Sequence, residues 1–313
     1  MSLKEHIMNP VLKKMLEREK ENNGNTSAPP FLMNIRAEDQ SRPIPDDLVE
    51  HADIPYGDTV QLFGDSVCPK NRKTEKLPVI VFVHGGALVT GDRKSNRVFC
   101  QEFARRGFVV YSVEYRLIDR ADVFGMVSDV CLALKMVKET LERFGGDPNR
   151  VSVCGESAGA FLSLYAAAAG KSPSLCQKFG CTDHGLAVSG LVLISGMINT
   201  TGNNPVALFY KKTLYGEKSR DKQFLKSISP NDPGIISLLP PVFLVSSRED
   251  FLRNHTLIYH EELEKAHHAC RLLYYPEGKA LTHAFPSLLP SLPESAEVIK
   301  EIVDWERQIN SSH

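Results

Sequence analysis

Six runs of apolar residues constrain this chain most: "VIVFV" (79–83), "FVVYSVE" (108–114), "VSVCG" (151–155), "GLVLISG" (190–196), "PVFLVSS" (241–247) and "RLLYY" (271–275). Each has the length of a strand and is rich in Val, Ile and Leu, with no regular polar alternation. Such runs belong to strands buried on both faces. Between them the period changes. Val127, Val130, Leu134, Val137 and Leu141 recur on one face of a helix over 123–144, and "AGAFLSLYAAAA" (158–169) is a strong helix former. Further helices are expected over 255–268 and 294–309. Strands and helices in alternation imply an α/β fold, a mostly parallel sheet covered on both faces. A chain of 313 residues can bury such a core without disulfides or metals.

Two segments break the alternation. In residues 1–50, Asn9 can cap a short helix over 10–20, Pro10 suits its first turn, and Val11, Leu12, Met15 and Leu16 give it an apolar face. The polar stretch "ENNGNTSAPP" then reads as a linker. Residues 197–239 are rich in Gly, Asn, Pro and aromatics and too long for a plain connection, which implies an insertion beside the sheet. The expected organisation is an N-terminal helix and linker over 1–50, then one α/β domain over 51–313 carrying that insertion.

Composition excludes several classes of partner. Lys plus Arg (37) balances Asp plus Glu (38), so no net field draws the chain to nucleic acid or an anionic membrane. The longest apolar runs, such as "LPVIVFV", are far too short to span a bilayer, and the charged N-terminus lacks a signal core. The seven cysteines are odd in number and show no C-x-x-C pair. Cys100, Cys131 and Cys154 sit in apolar or helical contexts that suit reduced thiols, so a reducing, cytoplasmic setting is expected; Cys176 and Cys181 would bridge a loop only in an exported chain. No cofactor or metal is expected.

In an open parallel sheet, functional groups gather at the carboxyl ends of the strands. After 79–83 comes His84-Gly85-Gly86-Ala87; after 151–155 comes Ser157; after 241–247 come Glu249 and Asp250; after 271–275 a loop leads to His283. A G-x-S-x-G pattern alone arises by chance in roughly one in ten chains of this length. Here it closes a strand and opens a helix, as a nucleophile elbow requires. A serine needs a base. Of the ten histidines, His283 is the best placed. His84 reads as ordering its loop, His255, His260, His267 and His268 as a solvated helix face, and His51 and His184 lack strand context. The acid that orients the base is Asp250, with Glu249 as competitor. The N–H groups of Gly85, Gly86, Ala87 and Ala158 would form an oxyanion hole.

Together, "HGGA" (84–87), "EYRL" (114–117), "RFGGDPNRVSVCGESAGA" (143–160), "FLVSSREDFL" (243–252) and "THAF" (282–285) resemble the hormone-sensitive-lipase-like carboxylesterases of the α/β-hydrolase fold, over roughly 77–310. The resemblance implies that Gly86 and Ala87 complete the oxyanion hole with Ala158. It also implies that 1–50 and 197–239 form a cap, and that the substrates are small carboxylic esters, with short-to-medium acyl groups, cleaved without a cofactor. Ala87 stands where relatives carry a third glycine, "IDRADVFGM" replaces an apolar, proline-containing stretch, no glycine precedes the acid in "SSRED", and Glu156 is often aspartate. Arylformamide hydrolysis would use the same residues. A ligand-binding protein on a dead hydrolase scaffold would be expected to have lost one of them. A homodimer through an edge strand or the final helix is left open.

Overall fold

The odd residues of the third strand, Val79, Val81 and Val83, pack into one apolar layer, while Ile80 and Phe82 pack into a second layer on the opposite face. This two-sided burial is why the run shows no polar alternation. The structure, a computed structural model, describes residues 42–57, 61–71 and 75–311, together with Pro10, Val11, Lys13, Lys14 and Glu17. The expected helix over 10–20 and its linker lie for the most part outside the described residues.

The strands are β1 (Leu48–Tyr56), β2 (Leu62–Pro69), β3 (Leu77–Val83), β4 (Val109–Val113), β5 (Gly146–Glu156), β6 (Gly190–Ile194), β7 (Val242–Ser247) and β8 (Cys270–Tyr275). They form one sheet in the order β1-β2-β4-β3-β5-β6-β7-β8. The β1–β2 and β2–β4 pairs are antiparallel; every other pair is parallel. The helices are α1 (Arg97–Arg105), α2 (Val123–Thr140), α3 (Ala158–Ala169), α4 (Pro173–Phe179), α5 (Pro205–Tyr215), α6 (Lys222–Ser227), α7 (Pro233–Ile236), α8 (Arg253–Lys265), α9 (Phe285–Leu288) and α10 (Pro293–Ser311). Helices α2 and α3 cover the first layer; α1 and α10 cover the second.

The antiparallel extension β1–β2 is not evident in the sequence, and the sheet begins at Leu48, inside the segment expected to be linker. Arg93 clamps this extension to the parallel sheet. Its guanidinium meets Asp65 of β2 at 2.9 Å and also pairs with Asp53 of β1 and with Glu114, just past β4. His51, expected to lack a strand, lies in β1 with its ring stacked on Phe144 at 4.2 Å.

Between β6 and β7 the chain carries α5, a 3-10 turn, α6 and α7. Asn204, Asp221 and Asp232 cap these helices with their side chains, and Pro205 and Pro233 occupy first turns. The insertion is therefore helical, started by residues that satisfy orphan N–H groups.

Candidate active site

Ser157 stands between the end of β5 and the start of α3 with φ +49° and ψ −115°. A non-glycine residue held there stores about 1–3 kcal/mol of strain. Its surroundings enforce the turn: the Ser157 N–H donates to Ile194 O and its carbonyl accepts from Met197 N–H, both at 2.9 Å. At Gly159 an added Cβ would lie 2.1 Å from Val83 O and 2.4 Å from His84 O. Only glycine lets α3 start this close to the end of β3.

The structure brings Ser157, His283 and Asp250 into one hydrogen-bonded line. Ser157 Oγ lies 2.9 Å from His283 Nε2, and His283 Nδ1 lies 2.7 Å from Asp250 Oδ1. Asp250 is fully buried. Its Oδ1 also accepts from Leu252 N–H at 2.9 Å, and its Oδ2 accepts from Ser246 Oγ at 2.8 Å. Burial pushes this carboxyl up, but His283 and the two further donors outweigh it and hold it below the usual carboxylate range. Glu249, the competing acid, is exposed, and its backbone pairs with Thr282. Ala284 N–H donates to Ser195 Oγ at 2.9 Å, which ties the histidine loop to the end of β6.

The loop after β3 runs against Ser157. Gly86 has φ +96°, and a Cβ there would fall 2.0 Å from Thr90 O. Ala87 and Leu88 also take positive φ, +58° and +65°. Tyr115 OH donates to His84 O at 3.0 Å and Gly85 O at 3.1 Å, and Tyr210 OH of α5 donates to Ala87 O at 3.1 Å. Among the described residues, no acceptor takes the N–H of Gly86, Ala87 or Ala158. Gly85 differs from expectation: its N–H donates to Glu156 Oε1 at 3.2 Å, so it is committed to the end of β5.

Other histidines fall away from this line. His84 is buried, its ring stacked on Tyr115 at 4.4 Å and its Nδ1 2.9 Å from Gly85 O; burial pushes it down to about 4. His255, expected on a solvated face, is buried and accepts from Asn199 N–H at 3.1 Å; burial pushes it down to about 4. His184 is buried as well, with Nε2 3.2 Å from Ala166 O.

Several residues at the site had no clear signal in the sequence. Phe251, 53% exposed, lays its ring 4.2 Å from the His283 ring. A cavity of about 370 Å³ lies between the residues after β4 and the end of α5, lined by Ile118, Phe124, Leu214 and Tyr215 together with Asp122, Glu217 and Lys218; Ile118 N–H donates to Leu88 O at 2.9 Å, which links its wall to the loop after β3. Glu156 is buried and accepts from Gly85 N–H and from Asn96 Nδ2 at 3.1 Å; burial pushes its carboxyl up to about 7, against both hydrogen bonds.

A mostly parallel eight-stranded sheet with a strained serine at its central strand-to-helix turn defines an α/β-hydrolase. The chain belongs to the BD-FAE family, which it matches over residues 65–262. It is 30% identical over 249 residues to a probable isoprenylcysteine alpha-carbonyl methylesterase of Oryza sativa subsp. japonica, an alignment covering 74% of this chain and 57% of the relative. It is 33% identical over 119 residues to the esterase LipC of Mycobacterium tuberculosis, covering 38% of this chain and 30% of the relative. The chain spans about half the length of the curated relatives it matches. Among solved structures, a phosphonate-inhibited esterase B from Lactobacillus rhamnosis superposes with a TM-score of 0.81 at 21% identity, covering 96% of each chain. An esterase of Pyrobaculum calidifontis superposes at 0.65 and 23% identity, covering 97% of this chain and 99% of that one. These two likenesses establish the fold. Among the described residues, no helix is long and apolar enough to cross a membrane.

Proposed function

We propose that the protein is a serine carboxylic ester hydrolase acting on small esters with short-to-medium acyl groups. The observation that carries this is the line from Ser157 Oγ through His283 to Asp250, with contacts of 2.9 and 2.7 Å. His283 takes the Ser157 proton as the hydroxyl attacks the ester carbonyl, and Asp250 stabilises the imidazolium that forms. The N–H groups of Gly86, Ala87 and Ala158 receive the oxyanion at the positive end of α3. His283 then protonates the leaving alcohol, and water hydrolyses the acyl-enzyme by the same steps in reverse roles. Four catalytic components retained together weigh against a dead scaffold used only for binding.

The insertion between β6 and β7, seated on the oxyanion loop through Tyr210, serves as a cap in this reading. Cys68, Cys100, Cys131 and Cys154 are buried among apolar residues, where reduced thiols pack as small hydrophobes, and the reading places the protein in a reducing, cytoplasmic setting. The test is a series of p-nitrophenyl esters from acetate to decanoate, with an arylformamide in parallel. The reading expects a maximum among the shorter esters and loss of turnover in Ser157→Ala. Arylformamide turnover far above every ester would move the assignment to amide hydrolysis. Ester turnover that survives Ser157→Ala would refute it.

A further inference from the structure

Glu156 ends β5 immediately before the nucleophile, yet the reaction above gives it no part. Its side chain is 4% exposed and accepts three hydrogen bonds: from Gly85 N–H at 3.2 Å, from Asn96 Nδ2 at 3.1 Å, and from the Ser287 hydroxyl. The three donors come from three separate parts of the fold. Gly85 begins the oxyanion loop, Asn96 precedes α1, and Ser287 lies in α9, directly after the His283 loop.

Each partner is fitted to this carboxyl. A Cβ on Gly85 would lie 3.1 Å from Glu156 Cγ, tighter than an ordinary contact. Asn96 sits at the N-cap of α1 but makes no capping bond with its side chain. Its amide goes to Glu156 instead and reaches Ser287 O at 3.4 Å. An asparagine in that position normally caps its own helix, so the local bond is forgone for a long-range one. A buried carboxyl is retained against its desolvation only where its partners are all supplied.

We propose that Glu156 is a positioning residue for the ester hydrolysis. Its carboxyl ties the oxyanion loop to the histidine loop and fixes the Gly86 and Ala87 amides and His283 at one spacing around Ser157. The proposal rests on the serine-hydrolase reading. The oxyanion and the imidazolium exist together only near the transition state, so loosening this tie lowers kcat and leaves KM nearly unchanged.

The experiment uses the full chain and p-nitrophenyl butyrate, with active sites counted by a fluorophosphonate probe so that misfolded molecules drop out. In Glu156→Ala, kcat per titrated site should fall about 100-fold, the scale of an ångström-level misplacement, with KM within about threefold of wild type. Glu156→Gln should recover most of kcat. Its oxygen can accept from Gly85 and Asn96, and its amide can donate to Ser287 Oγ, which has Ala284 O at 3.1 Å as its own acceptor. Ser287→Ala cuts one arm and should fall between the two. Full kcat per titrated site in Glu156→Ala, at any melting temperature, overturns the proposal. So does a loss that Glu156→Gln shares in full. Should Glu156→Ala not fold, wild-type kcat in Ser287→Ala overturns it. A wild-type protein that neither takes the probe nor hydrolyses the ester overturns the serine-hydrolase reading underneath instead.

Discussion

Replacing Asp250 with asparagine removes a charge and keeps every heavy atom in place. The amide oxygen can still accept from His283 Nδ1 and Leu252 N–H, and the amide nitrogen can donate to Ser246 Oγ, so the fold should survive. What is lost is the partner of the imidazolium. The pair lies 2.7 Å apart, with Asp250 0% and His283 4% exposed, so water is poorly placed to substitute for the carboxylate. In a serine protease the equivalent change lowers kcat about 10⁴-fold, which corresponds to roughly 5.5 kcal/mol of barrier. The same exclusion of water here places the expected loss at about 10³–10⁴-fold in kcat. The assay is p-nitrophenyl butyrate turnover, with circular dichroism to verify folding. Glu249→Gln serves as the control and should retain near wild-type activity, because Glu249 is exposed. Asp250→Asn activity within tenfold of wild type, or a dead Glu249→Gln, would refute the assignment of the acid.

Further outcomes follow from packing and charge. Gly159→Ala would force a methyl against the carbonyls of Val83 and His84, at 2.1 and 2.4 Å, so little active protein should be recovered from expression. Arg93→Ala would strand Asp65 and Glu114 without their cation and should cost about 3–5 kcal/mol in urea unfolding, by detaching β1 and β2 from the sheet. Glu306 is buried in α10, and burial pushes its carboxyl up to about 7. A raised acid contributes stability below its unfolded pKa and loses it as pH rises through the folded value, a span worth about 3 kcal/mol. Glu306→Gln should therefore stabilise the protein at pH 8 and have much less effect at pH 5, read from melting temperatures at the two values.

The parallel part of the sheet was legible because burial on both faces leaves unbroken Val, Ile and Leu runs, and β3 to β8 fall on the runs read from the sequence. The strands β1 and β2 were not. "LVEHADIPY" carries charges and a histidine because only its first and last residues are buried, the rest being partly buried or exposed, so it offers neither the apolar run nor a clean alternation. The line Ser157, Asp250, His283 could be anticipated because topology collects strand ends on one edge. The sequence favours Asp250 over Glu249 by position alone, since both follow β7; burial is what separates them, Asp250 being buried and Glu249 exposed. His255 misled for a related reason: helical spacing cannot tell which face of α8 meets the sheet. The partners of Glu156 were invisible because Gly85, Asn96 and Ser287 are far apart in sequence and carry no joint motif.

The central claim is that Ser157 is an activated nucleophile. Treating the folded protein with a fluorophosphonate probe and locating the adduct by peptide mass spectrometry tests it most directly. The account predicts one stoichiometric adduct on Ser157, with ester hydrolysis lost in step with labelling and no adduct in Ser157→Ala. Folded protein that hydrolyses esters while Ser157 stays unlabelled, or that is labelled elsewhere with the same loss of activity, would contradict it.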